Sequence, residues 1–365
     1  MAKTNFLAGA LLVALLGSQA HAWGTKEHIL LTNLAAQRVI ADPATPPAMK
    51  EWLRAVCPDL GTVESQKQFF LTGKVGVTKK DATGMSLWCI EPDNRAGDRN
   101  TMIQPFNMPE RPLHFVDVEE LHAEIDRRAY QHDMSNNVDL ATVPRDLADK
   151  RWEKAGVLPF AVEHCYKKLV ESIKAGRLGD VKESAADADS ALVWAGRLAH
   201  YLEDNTQPLH ATADYQSRSY FADRRGAPNI HSEMEYKMND DDKHLWPKLR
   251  ADYWKAFSDQ LKVAKDPVQT KDLWMATLEV AQTSYKELPL IGLAAMDASG
   301  QQGTPDKPTG RAGPVDTEKF FRYSSAVTGR HETVLQMKAR QQAWAVVRVA
   351  RIWQQAWAEA GQKAE

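Results

Sequence analysis

Apolar residues along this 365-residue chain recur mainly at three- and four-residue steps, the spacing that lines up one face of an α-helix. From His28 to Ile40 the stripe is Ile29, Leu30, Leu34, Ala35 and Val39. Pro159 to Ala175 repeats it with Phe160, Val162, Cys165, Leu169 and Ile173. A stronger helix, rich in Ala and Leu, is predicted from Ala185 to Glu203, and the Asn205-Thr-Gln-Pro208 segment must break it. Further helices are expected near 245–264, 270–287 and 333–360, the last carrying Trp344, Val347, Ala350, Ile352 and Trp357. Alternating β patterns are scarce, and no internal repeat or Gly-rich phosphate loop is found. Residues 71–112 and the Pro/Gly-rich stretch 298–314 read as loops. A lone helix after the second loop cannot bury its own apolar face, so it must pack back on the main body. The expectation is one all-α domain with long loops over a helical core.

The exception to this pattern is the start. Met1–Ala22 has a charged beginning at Lys3, an apolar run over 6–17 and the small-x-small sequence Ala20-His21-Ala22, which together read as a secretion signal. Cleavage before Trp23 leaves residues 23–365 as the single domain and predicts a secreted or periplasmic protein. No other apolar run approaches the roughly 18 residues needed to span a bilayer. The 46 Lys+Arg against 48 Asp+Glu give a net charge of −2, which offers no basic excess for duplex nucleic acid. Cys57, Cys89 and Cys165 permit at most one internal disulfide, and a Cys57–Cys89 bridge is one option after export. With no C-x2-C spacing among them, they are poor candidates for a thiolate metal site.

Histidines and carboxylates carry the candidate chemistry. His200 and Asp204 lie four apart on a predicted helix, hence on one face, where both can meet a metal ion. Pro208 ends that helix and lets the chain deliver His210 nearby. His231 and Glu235, in His-Ser-Glu-Met-Glu, repeat the i, i+4 pair. A freed Trp23 would offer an amine and a carbonyl oxygen close to His28. His114, in His-Phe-Val-Asp117, has apolar flanks that suggest a buried imidazole, and by itself it reads as a core histidine. Asp93, in Glu-Pro-Asp-Asn, reads by itself as a turn or N-cap residue, with Asp98 close by as the alternative carboxylate. His122, His132, His164, His244 and His331 fall outside these patterns and read as surface or core histidines.

Trp-x4-His at the mature start, HFVD, HYLEDNTQPLH and HSEME together resemble the superfamily of zinc-dependent phospholipases C and single-strand nucleases. The resemblance runs from Trp23 to the final helix and is densest over 198–235. It implies an all-helical fold with three zinc ions at the bottom of a cleft. Asp93, His114, His200 and Asp204 would hold one ion. Trp23 (amine and carbonyl), His28 and Asp204 would hold the second, with Asp204 bridging. His210, His231 and Glu235 would hold the third. Imidazole and carboxylate ligands without thiolate suit catalytic zinc. The implied reaction is hydrolysis of a phosphodiester by metal-activated water, with Asp93 also orienting that water.

The two branches share this chemistry and differ in substrate. Glu235 as last ligand and the slightly acidic charge favour a phospholipase C, with phospholipid substrate and transient contact with a membrane surface. The short Trp23–His28 spacing and the NTQPLH run are closer to the nucleases, whose substrate is single-stranded nucleic acid. Phospholipases tend to carry a glutamate three residues after the tryptophan to meet choline, whereas here that position is Lys26 and Glu27 comes one step later. A nuclease would need aromatic faces for bases, for which Tyr215, Tyr220, Phe221 and Tyr236 are the candidates. A secreted zinc-binding protein without catalysis is the third reading. No protein partner is implied.

Overall fold

The computed structural model describes residues 23–72, 82–98, 100–121, 139–183, 189–239, 246–268 and 270–361. Residues 1–22, expected to be a secretion signal, and His122, His132 and His244 lie outside these residues. The described chain is all-α, with only two short two-stranded hairpins. Its α-helices of five or more residues are α1 (Thr25–Ala41), α2 (Pro47–Val56), α3 (Val63–Leu71), α4 (Gly84–Trp88), α5 (Glu91–Ala96) and α6 (Leu158–Lys174). The remainder are α7 (Ala191–Asp204), α8 (Pro247–Val263), α9 (Leu273–Tyr285), α10 (Leu288–Ser299), α11 (Thr317–Arg322) and α12 (Val334–Gly361).

The periodic stripes predict α1, α6, α7, α8, α9 and α12 within a few residues, apart from the start of α7. There Ser190 caps the helix, its hydroxyl accepting from Val193 N, so α7 begins six residues later than the Ala185 expected. The segment 71–112 is a correction: it contains α4 and α5, so Asp93 stands on a helix and not in a loop. Pro92, which reads as a breaker, lies in the first turn of α5, where no intrahelical N–H is needed. The segment 298–314 holds the antiparallel hairpin Gln302–Thr304 with Lys307–Thr309. Helices α2, α3, α10 and α11 lie outside the predicted stripes.

The core is built around α1 and α7, both buried on nearly every side. α12 packs along α1, α6, α7 and α8, and Trp353 Nε1 donates to Ala195 O of α7 at 3.1 Å. This confirms that the last helix folds back on the main body. At Gly196 of α7 an added Cβ would fall 2.4 Å from Trp88 Cβ, so only glycine lets α4 lie this close. That contact places α5, and with it Asp93, against the end of α7. Because α1 is buried on nearly every side, its polar residues Glu27, His28 and Thr32 are inside the protein and find partners there.

All three thiols are free and buried, so the Cys57–Cys89 bridge is absent. No described helix is long and apolar enough to cross a membrane.

Candidate metal centre

Seven elements bring eight side chains together. α1 supplies His28, and α5 supplies Asp93. A 3-10 turn, Arg111–His114, supplies His114, and the end of α7 supplies His200 and Asp204. Gln207 accepts from Leu209 N and starts the 3-10 turn Pro208–His210, which carries His210 inward. The turn Ile230–Ser232 runs into a π-helix, Glu233–Lys237, and these carry His231 and Glu235. π-turns of this kind are frequent at functional sites.

The atoms fall into three groups whose potential ligand atoms lie within 4.8 Å of one another: His28, Asp93 and His200; His114, His200 and Asp204; and His210, His231 and Glu235. Asp204 lies between several histidines, with Oδ2 2.9 Å from His114 Nδ1 and 3.3 Å from His200 Nε2, and Oδ1 3.4 Å from His28 Nε2. Asp93 Oδ1 is 3.7 Å from His200 Nε2 and 3.8 Å from His114 Nδ1. Glu235 contacts His231 and lies 3.6 Å from His210 Nε2. Trp23 is fully buried beside this cluster, its indole Nε1 donating to Glu203 O at 2.8 Å. Asp98 is excluded as the alternative to Asp93: it is exposed and caps its own loop, accepting from Asn100 N at 2.9 Å and Thr101 Oγ1 at 2.5 Å.

The donor set fits a divalent cation. Nitrogen faces nitrogen at two places, His114 Nδ1 to His200 Nε2 at 3.1 Å and His210 Nε2 to His231 Nε2 at 3.4 Å. His28 Nε2, Asp204 Oδ1 and Glu235 Oε2 are buried without a hydrogen-bond partner. Buried polar atoms are ordinarily satisfied, so converging orphaned lone pairs mark a place for a positive charge. These residues, oxygen and nitrogen donors with no sulfur, therefore form groups able to hold metal ions.

The same crowding perturbs protonation in opposite directions. Burial, with His200 alongside, lowers His28 to about 3. His114 rises to about 10, because its hydrogen bonds to Asp204 and Glu110 outweigh the opposing effect of burial. Burial raises the Glu235 carboxyl well above its usual range, and the charges of Asp93 and Asp204 add to this. Asp204 is held well below its usual range by His200 and His114 in spite of burial.

Four of the five rings are also held from behind. His200 Nδ1 donates to Cys89 O at 2.8 Å and His210 Nδ1 to His114 O at 2.7 Å. His28 Nδ1 shares a proton with Glu203 Oε2 at 2.6 Å. Behind His114 stands Glu110, 3.4 Å from Nε2, which accepts from Tyr201 and pairs with Arg95 at 2.8 Å. Glu203, Glu110 and Tyr201 escaped the sequence reading. The one signal was Glu203, a second carboxylate directly beside a candidate ligand.

A cavity of about 100 Å³ opens onto the cluster, lined by His114, His210 and His231 with Arg111, Asp117 and Tyr215. Arg111 is exposed and lies over the Tyr215 ring at 5.9 Å, while Tyr215 meets His231 edge-on at 5.4 Å. A larger open groove, about 1290 Å³, lies elsewhere and includes none of the eight side chains.

Of the other aromatic candidates, Tyr220 and Phe221 are buried, Tyr220 against Gly292, and only Tyr215 reaches the cavity. Lys26 and Glu27 do not line it. Glu27 is fully buried, 2.9 Å from Lys338 Nζ, and accepts from Gly24 N, so it closes the N-terminus of α1. His164 is half-buried between Phe106 and Trp194, and His331 is exposed.

Neither a protein-family model nor a curated protein matches this chain.

Proposed function

We propose that this chain is a secreted or periplasmic zinc-dependent phosphodiesterase that binds three zinc ions and acts as a phospholipase C on phospholipids. The observation that carries the reading is the convergence of eight imidazole and carboxylate side chains, from seven elements, into three sulfur-free groups beside one cavity. An ordinary core does not collect buried carboxylates and histidines with lone pairs facing one another. The resemblance to the superfamily of zinc-dependent phospholipases C and single-strand nucleases points the same way.

In this reading Asp93, His114, His200 and Asp204 hold one ion, Trp23, His28 and Asp204 the second, and His210, His231 and Glu235 the third. Bound zinc supplies the positive charge that offsets a phosphodiester's negative charge and makes water acidic enough to attack it. Asp93 holds the proton released by the attacking water on one carboxylate oxygen. Arg111, at the cavity mouth, binds the anionic substrate. Apolar walls from Leu209 and Phe115 keep bulk water from the reacting groups.

A second reading, a single-strand nuclease, is favoured by the guanidinium of Arg111 lying over Tyr215. A cation on the Tyr215 face suits a polyanion better than a choline head group. One assay separates these readings: phosphatidylcholine and single-stranded DNA offered to the zinc-loaded protein, with and without chelator. The phospholipase reading predicts chelator-sensitive release of diacylglycerol. Release of 5′-nucleotides without diacylglycerol would transfer the assignment to the nuclease. A protein that binds zinc yet leaves bis-p-nitrophenyl phosphate untouched is the non-catalytic alternative.

A further inference from the structure

We infer that Glu203 is a positioning residue that fixes Trp23 and His28 around Asp204, so that His28 presents Nε2 to a divalent cation. The inference rests on the metal-site reading above. Glu203 precedes Asp204 on α7, and successive helical residues point about 100° apart. Asp204 thus enters the cluster while Glu203 passes behind the His28 ring.

Three hydrogen bonds define the arrangement. Glu203 Oε2 and His28 Nδ1 share one proton at 2.6 Å, and Oε1 accepts from Thr32 Oγ1 at 2.8 Å. The backbone oxygen of Glu203 accepts from Trp23 Nε1 at 2.8 Å. Thr32 is one helical turn beyond His28 on α1, so the carboxylate clamps a single face of that helix. Whichever of the two atoms carries the shared proton, the ring has the same orientation, with Nε2 3.4 Å from Asp204 Oδ1. The ring is further confined by stacking on His200, centroid to centroid 4.1 Å.

Packing alone does not account for a carboxylate at this place. Glu203 is fully buried beside a second fully buried carboxylate, Asp204. Among the described residues no lysine or arginine pairs with either of them. Two adjacent buried carboxylates without a basic partner are costly, and a cation held by His28 and Asp204 offsets that cost. His200 and His210 are held by neutral backbone carbonyls, whereas His28 alone of these three leans on a carboxylate. A carboxylate behind an imidazole fixes its tautomer and makes the opposite nitrogen a stronger donor, and loss of such partners weakens metal binding by roughly 10- to 100-fold.

The test measures stepwise zinc affinities of the mature protein, by competition with a fluorescent chelator, in wild type, Glu203→Gln, Glu203→Leu and Thr32→Val. The expected result is one ion weakened by roughly 10- to 100-fold in both Glu203 variants. Thr32→Val weakens the same ion by less, and the other two ions keep wild-type affinity. Where Glu203→Leu does not fold, Glu203→Gln and Thr32→Val decide by the same criteria. Uniform weakening of all three ions with a lowered Tm marks a merely structural residue and overturns the inference. Three unchanged affinities overturn it too while leaving the phosphodiesterase reading intact, and a wild-type protein that binds no zinc overturns both.

Discussion

The two halves of the cluster are built by different means. His28, His200 and Asp204 stand on long helices buried on nearly all sides, and His28 and His114 have the carboxylates of Glu203 and Glu110 behind them. His210, His231 and Glu235 stand on a 3-10 turn, a short helical turn and a π-helix, and His210 is held by a backbone carbonyl. The cavity opens mainly on the second half, where His210 and His231 line it, and His114 is the one residue of the first half that reaches it. Rigid helices suit a permanent pair of charges, whereas irregular turns leave room for a ligand to approach. In the phosphodiesterase reading, the difference separates a more closed part that sets the electrostatics from a more open part that would meet substrate.

Substitutions can break that division. Asp204→Asn has the largest expected effect, because one carboxylate faces three histidines. Zinc content by mass spectrometry should fall by two ions and hydrolysis of bis-p-nitrophenyl phosphate to near the uncatalysed level. An unchanged zinc content would show that Asp204 does not bridge. Glu235→Gln should remove the ion of the open half alone, leaving two, with rate reduced on the order of 10²–10³ as for loss of one transition-state contact. If all three ions leave together, the halves are one cooperative site. Arg111→Ala should raise KM about 10-fold with kcat nearly constant, the signature of lost substrate binding. A matching fall in kcat instead would place Arg111 at the reacting atoms.

The smallest effect concerns stability beside the open half. Glu119 is buried and accepts from Thr212 Oγ1 at 2.6 Å and Ala213 N at 2.8 Å, two and three residues after His210. Burial raises its carboxyl to about 7. A carboxyl whose folded pKa exceeds the unfolded value near 4.5 favours the fold when protonated. Its contribution is complete below about pH 4.5 and is lost as pH rises through about 7. Chemical denaturation of wild type should show that decline, and Glu119→Gln should flatten it. An equal slope in both proteins would rule out Glu119 as the source.

How far the sequence could be read depended on how far each feature reaches along the chain. The long helices announced themselves through periodicity, and His200, Asp204, His231 and Glu235 through one-turn spacing. Asp93 was harder, since α5 has six residues and begins with Glu91-Pro92, a pair that reads as a turn. The hairpin at 302–309 is largely exposed and has no apolar alternation to betray it. Contacts between distant residues were invisible. Lys338 lies 311 positions from its partner Glu27, and its ammonium sits 5.1 Å over the Trp23 ring. Nothing local in either segment encodes that pairing, although it anchors the start of α1 and so helps place His28. Glu203 gives little sequence signal of its own, because a glutamate beside a helix-ending aspartate looks like an ordinary polar C-terminus.

Crystals of the mature protein grown with zinc and measured at the zinc absorption edge address the central claim most directly. The account predicts three anomalous peaks. One lies between His114 and His200, one beside His28, with Asp204 reaching both, and the third lies among His210, His231 and Glu235. No peaks, or peaks away from these residues, would contradict it.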